Sequence, residues 1–171
     1  VIINGHRTGR SCVCNDWELE GYEIGRKLLA EGRRRPLLAA KHDHMPQLDG
    51  LRRAFREAGV SLDTDEMLIL RGLEMENNLN RLLDRIGTPE AIYAIGGTIR
   101  DIEATLQKRK LDLGKCRLIG EPVVLEPYFR GWRIEHNFAS LARAACHQLF
   151  AEIDGGPLQN HEIPRKISEV S

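Results

Sequence analysis

Between Asp16 and Gly120 the chain alternates without a break between two kinds of segment. "PLLAA", "MLIL", "AIYAI" and "CRLIG" are apolar at consecutive positions, as strands buried on both faces must be. Between them, Leu48, Leu51, Phe55 and Ala58, then Leu79, Leu82, Leu83 and Ile86, then Ile99, Ile102 and Leu106 recur at helical spacing. Turn signals at Gly59, Gly87-Thr88-Pro89 and Gly114 keep the connections short. Parallel strands need crossover helices, and helices that return to a sheet buried on both sides must cover both sides. The fold class that follows is α/β, a doubly wound parallel sheet.

The flanks extend this pattern. "VIIN" and "SCVCN" read as strands around the loop "GHRTGR". Asp16 is placed to cap a helix in which Trp17, Gly21, Ile24 and Leu28 share a face, with acidic residues in the first turn and Gly32 and three arginines at the end. After Gly120 the rhythm breaks into the Pro-punctuated "EPVVLEPYFRG" and the extended "WRIEHN". A helix follows, capped by Asn137, with Phe138, Leu141, Ala145 and Leu149 on its apolar face, and then an extended tail from Leu158. An opening inside an apolar strand reads as a fragment or a processed product.

The 171 residues suffice for one domain or two small subdomains, and 25 basic against 25 acidic residues give no bulk attraction to nucleic acid or anionic lipid. Any contact with DNA would need a surface outside this chain. No apolar run approaches the roughly 20 residues of a membrane span, and no leader pattern is present. Cys12 and Cys14 flank Val13 on a strand, share one face and form no redox motif; with Cys116 and Cys146 they read as buried thiols.

Chemistry-bearing motifs are sparse. His42 and His44 flank Asp43, but no nearby His or Cys completes a metal set, so no metal ligation is expected. Lys41, His42 and Asp43 follow a strand end, where open α/β sheets bind ligands, and so suit a cleft rim or a solvated loop alike. Gly96 and Gly97 open a helix after another strand and offer backbone N–H groups to an anion, although a tight turn explains them equally. They form neither a dinucleotide nor a Walker motif, and no cofactor is expected. Arg33-Arg34-Arg35 suits a solvated helix end, and the scattered acidic residues suit solvated helix faces.

In order and spacing these landmarks resemble the effector-binding core of lactose-repressor/galactose-repressor (LacI/GalR) transcription regulators. The resemblance rests on "GYEIGRKLLAEGRRRPLLAA", "QLDGLRRAFREAGV", "TPEAIYAIGG", "KCRLIGEP", "RIEHN" and "IPRKISEVS". It implies a periplasmic-binding-protein-like (type I) fold, two subdomains facing across a cleft with three connecting strands. Residues 1–15 and 137–158 would be remnants of the N-terminal core subdomain, and 16–134 and 161–171 the C-terminal one, with the rest of the core and a DNA-reading headpiece upstream. The effector site carried over onto this sequence comprises Lys41, Asp43, Gln47, Leu73, Gly96, Gly97 and Pro122. The family's gripping arginine falls on Gln47, its Gly-Phe-Asp aspartate on Pro122 and its Asn-Asp on Gly96-Gly97. The usual grip on sugar hydroxyls is therefore absent, and Lys41 with the bare glycines points to a small effector that is anionic or weakly polar.

What the resemblance implies is the effector-sensing domain of a cytoplasmic, homodimeric repressor-type regulator, not an enzyme, binding a small molecule in its cleft and operator DNA through the headpiece. The alternatives are a periplasmic solute-binding protein of a transporter and, further off, an α/β enzyme using His42, Asp43 and His44.

Overall fold

A computed structural model describes residues 1–5, 9–40, 45–62, 68–70, 75–95, 99–111, 116–121 and 131–170. Its strands are β1 (Ile2–Ile3), β2 (Cys12–Asn15), β3 (Leu37–Ala40), β4 (Leu68–Leu70), β5 (Ala91–Ala94), β6 (Arg117–Gly120), β7 (Gly131–Ile134), β8 (Asn160–Ile163) and β9 (Ile167–Val170). Its helices are α1 (Trp17–Ala30), α2 (Pro46–Glu57), α3 (Met75–Ile86), α4 (Ile99–Lys108) and α5 (Phe138–Ile153).

Two sheets result. The larger has the order β4-β3-β5-β6-β7-β9, with every pair parallel except β7 and β9; the smaller, β1-β2-β8, is parallel throughout. Burial on both faces explains the continuous apolar runs. In β3, Leu37 and Ala39 face a core that holds Leu79, Leu83, Ile99, Ile102 and Leu106, from α3 and α4. Leu38 and Ala40 face the opposite core, with Ile24, Leu28, Leu48, Leu51 and Phe55 from α1 and α2. In β5, Ile92 and Ala94 join the first core and Ala91 and Tyr93 the second. The larger sheet is doubly wound, as the alternation requires. The antiparallel edge formed by β9 departs from the all-parallel expectation; the extended tail supplies it without a crossover helix.

The two sheets are joined by three crossovers: β2 into α1, β7 into α5, and β8 into β9. The crossovers bind one another. Asp16 N donates to Ile163 O at 3.0 Å, Glu135 N to Lys166 O at 2.9 Å, and Asn137 Nδ2 to Pro164 O at 2.9 Å. Asn137 therefore occupies the cap position of α5 but spends its side chain on a neighbouring crossover rather than on the helix. Asp16 caps as expected, its Oδ1 accepting from Leu19 N at 2.9 Å.

Helix α5 differs from its sequence reading. Leu141, Ala145 and Gln148 are its buried residues, whereas Phe138 is 65% and Leu149 45% exposed. Cys146 is exposed as well, in contrast to Cys12, Cys14 and Cys116. The three arginines after α1 are not simply solvated. Arg33 pairs with Glu31 and Glu90 O, and Glu90 Oε2 accepts from the backbone N–H groups of Arg34 and Arg35.

Helices α1 and α2 lie side by side on one face of the larger sheet, closer than ordinary side chains allow. A Cβ placed on Gly21 would come within 1.9 Å of Gln47 O, and one on Gly50 within 1.9 Å of Glu18 O. The two backbones interlock at these positions, and no rotamer change can relieve a clash with a carbonyl. This contact holds the first turns of both helices together, at the end of the sheet where the crossovers enter. Overpacking of a tight interface costs about 1–3 kcal/mol or more. Gly50→Ala should therefore lower the free energy of unfolding in urea by about 3 kcal/mol, and an unchanged midpoint would show that the helices are not packed this closely.

Candidate functional site

An open crevice of about 420 Å³ lies where β2 and β8 end and α1 and α2 begin. Asn15, Asp16, Trp17, Glu18, Pro46, Arg53 and Glu162 are among its lining residues. Each is there for a local reason. Asn15 ends β2, and Glu162 faces the crevice from β8, the neighbouring strand. Asp16 and Trp17 start α1, whose first turn is fixed by the cap. Pro46 starts α2 at a position where its missing N–H costs nothing. Arg53 reaches from α2 to Glu18 of α1 at 2.6 Å and stacks on the Tyr22 ring at 4.5 Å.

The described lining is rich in acceptors: three carboxylates against one guanidinium already paired with Glu18. Asn15 is buried, its Nδ2 donating to Asn4 Oδ1 at 3.3 Å while its own Oδ1 has no hydrogen-bond partner among the described residues. Such a wall suits a ligand that brings hydroxyl or amine donors.

Behind the crevice, a buried ion cluster ties the crossovers to the larger sheet. Arg165, in the β8–β9 crossover, has a side chain only 1% exposed. Its Nη1 donates to Glu20 Oε2 of α1 at 3.0 Å and to Glu121 Oε1, directly after β6. Its Nε donates to Glu135 O at 3.2 Å, and its guanidinium lies 5.2 Å from the centroid of the Trp17 ring. Tyr93, from the middle of the larger sheet, donates its hydroxyl to Glu20 Oε1 at 2.7 Å. Glu121 is the cluster's partly exposed member, at 20%.

One guanidinium between two carboxylates leaves the cluster with an excess negative charge. Burial pushes the Glu20 carboxyl up to about 7, against the pull of Arg165 and the Tyr93 hydrogen bond, and Glu121 adds to the rise. Burial and Glu20 together raise the Tyr93 phenol well above its ordinary range. Since the folded value lies above the unfolded one, the carboxyl's stabilising share is complete at acid pH and is lost as pH rises through about 7.

Of the positions carried over from the family resemblance, Gln47 is described: it lies buried in the first turn of α2, beside the Gly21 contact, its Oε1 without a hydrogen-bond partner among the described residues. Lys41, Asp43, Leu73, Gly96, Gly97 and Pro122 fall outside the described residues, as do His42 and His44. Among the described residues no group of His, Cys, Asp and Glu is placed to hold a metal ion, and no described helix is long and apolar enough to cross a membrane.

The sequence pattern alone does not reveal this cluster, because it places the acidic residues on solvated helix faces. Glu20 corrects that assignment. A signal was present: Glu20, Ile24 and Leu28 follow at four-residue steps on the buried face, and Tyr93 sits in the middle of an apolar strand with a hydroxyl that needs a partner.

No family model matches the sequence, and neither does any curated protein sequence. Solved structures match over nearly the whole chain. The Escherichia coli transcriptional repressor ascG superposes with a TM-score of 0.79 at 15% identity, covering 99% of this chain and 67% of its own. A sugar-binding LacI-family transcriptional regulator from Escherichia coli, complexed with phosphate, gives 0.77 at 15%, covering 99% and 66%. A LacI-family regulator from Enterococcus faecium with bound ribose gives 0.77 at 13%, covering 96% and 66%. The chain thus spans about two thirds of the length of these proteins and has their fold, the periplasmic-binding-protein-like α/β fold of LacI-type regulators, as the resemblance implied.

Removing one partner of a buried ion pair leaves the others uncompensated and costs about 3–5 kcal/mol. Arg165→Met should lower the unfolding free energy by that amount in urea titrations at pH 8, and Tyr93→Phe by about 1–2 kcal/mol, the penalty of one lost buried donor. A neutral Arg165→Met would mean that the guanidinium is not holding the crossovers.

Proposed function

We propose that this chain is the effector-sensing part of a transcription regulator, and that the crevice at the crossovers receives a small-molecule effector. The observation that carries the reading is the match to LacI-type regulators over nearly the whole chain, together with an open polar crevice where three crossovers join two parallel sheets. Ligands of open α/β sheets bind at the carboxyl ends of the strands, and β2 and β8 end in this crevice.

Residues 1–15 and 137–158 would belong to one subdomain, and 16–134 with 161–171 to the other. The effector would favour one angle between them, shifting a population already present in its absence. Two such chains in a homodimer would present DNA-reading headpieces, lying outside this sequence, to operator half-sites in the cytoplasm. The coupling comes from the difference in effector affinity between the two arrangements.

The effector's chemistry follows from the lining. Asp16 and Glu162 favour hydroxyl or amine donors on one side. Lys41 directly follows the end of β3, and Gly96-Gly97 follow β5 by one residue. By the family resemblance these positions would supply a cation and bare N–H groups suited to an anionic or weakly polar end. A hydroxylated organic acid meets both requirements; a neutral sugar meets the first only.

Calorimetric titration of the full chain with neutral sugars, simple organic acids and hydroxy acids tests this reading. The hydroxy acids should bind best, and Glu162→Gln should weaken them about tenfold, one charge-assisted hydrogen bond, with no change in melting temperature. No saturable binding by any of the three classes would overturn the proposal.

A further inference from the structure

The ion cluster behind the crevice joins the moving parts of the proposed sensor. Arg165 and Glu135 belong to two of the three crossovers, and Glu20 and Trp17 stand in the first turn after the third. Glu121 is the step between this interior and the crevice side of the larger sheet: it directly follows β6 and keeps part of its surface in solvent. We infer that Arg165, Glu20 and Glu121 form a proton-operated latch on the hinge, in which one proton on the two carboxylates decides how firmly the crossovers are held.

The geometry supplies two states. Both carboxylates accept from the same nitrogen, Arg165 Nη1, so their oxygens converge on one donor. Nη2 is buried and has no hydrogen-bond partner among the described residues, so the guanidinium keeps donors in reserve for a shift towards either side. With one proton on the pair, one carboxylate balances Arg165 and the cluster is neutral. With none, a net negative charge stands in a site shielded from water, and like carboxylates around one cation repel. The groups facing Glu20 are Arg165 from the crossover, Tyr93 from β5 and Glu121 after β6, and it is the Glu20 carboxyl that burial raises to about 7. Tyr93 donates in both states, and Arg165 stays charged.

As pH rises through about 7 Glu20 loses its proton and the crossovers loosen; as pH falls they tighten. The state of the latch is a property of the hinge itself. Its influence on effector binding rests on the function proposed above.

Amide hydrogen exchange on the full chain, without any ligand, tests the latch at its own place. The amides of Asp16 and Glu135 close two of the crossover hydrogen bonds. Their protection factors, corrected for the intrinsic pH dependence, should fall about tenfold between pH 6 and pH 8, the effect of one unit of proton linkage. Glu20→Gln, which cannot titrate, should flatten that dependence while retaining the fold. Glu121→Gln should move its midpoint to lower pH by removing the neighbouring charge. A purely structural ion cluster would give the same protection at both pH values, and that result, or an equal fall in Glu20→Gln, overturns the latch. If Glu20→Gln fails to fold, the carboxyl carbon resonances of the wild-type chain replace it, and a glutamate titrating near 7 that shifts with Tyr93→Phe is the expected result; none doing so overturns the latch. No effector enters the experiment, so a titrating hinge in a protein that binds no small molecule would refute the sensor reading alone.

Discussion

A guanidinium almost wholly removed from water needs partners in the interior, and Arg165 finds those of its Nε and Nη1 in the parts of the chain that pass between the two sheets and at the end of β6. It takes Glu20 from α1, Glu121 from the end of β6, a backbone carbonyl from the β7–α5 crossover and the face of Trp17. None of these groups could move alone without leaving charge in the interior. The arrangement of the crossovers, and through them of the two sheets, therefore hangs on one side chain in the β8–β9 connection. Apolar residues of similar volume would serve stability as well, since desolvation consumes most of what a buried ion pair returns. What charge adds is a preference for one geometry and a response to protonation.

The contrast with the rest of the molecule is instructive. Both cores of the larger sheet are assembled mainly from Leu, Ile and Ala, with Phe55, Met75, Cys116 and Trp132, and Tyr93 turns its hydroxyl to Glu20. Close-packed protein interiors transmit displacement rather than absorb it. The α1–α2 interlock at Gly21 and Gly50 makes these helices one rigid wall. A change at the crevice lining on α1 or α2 would thus be felt by Glu20, two residues after Glu18. At the crossovers, by contrast, hydrogen bonds and the Arg165 ion cluster hold the chain segments to one another.

Much of this was legible in the sequence, and the reasons differ by element. The order of strands and helices from Asp16 to Gly120 was plain because short apolar runs alternating with amphipathic helices are what a parallel sheet buried on both faces leaves in a sequence. The Asp16 cap was plain because it is a local, three-residue interaction. Asn137 was read correctly as to place and not as to role: its partner, Pro164, is 27 residues away. Phe138 and Leu149 have the spacing of a buried face yet stand exposed, because periodicity says that residues share a side and not what covers it. Glu20 and Arg165 are 145 residues apart. Each alone looks like a surface charge, and only the fold makes them a pair.

The site shows the same division. Ligand positions transferred by resemblance follow strand ends in the sequence, as Lys41, Asp43, Gly96, Gly97 and Pro122 do after β3, β5 and β6, and such segments are where chemistry varies most freely among proteins of one fold. The described wall is built instead from element termini, such as Asn15, Asp16, Pro46 and Glu162, whose places are set by strand ends and caps. Gln47 belongs to this second kind: its backbone is locked against Gly21, so its side chain is buried by helix packing whatever the ligand. In the function proposed above these are two separate tasks: positions after the strand ends would set what is recognised, while the termini and the Arg165 cluster would carry recognition to the crossovers.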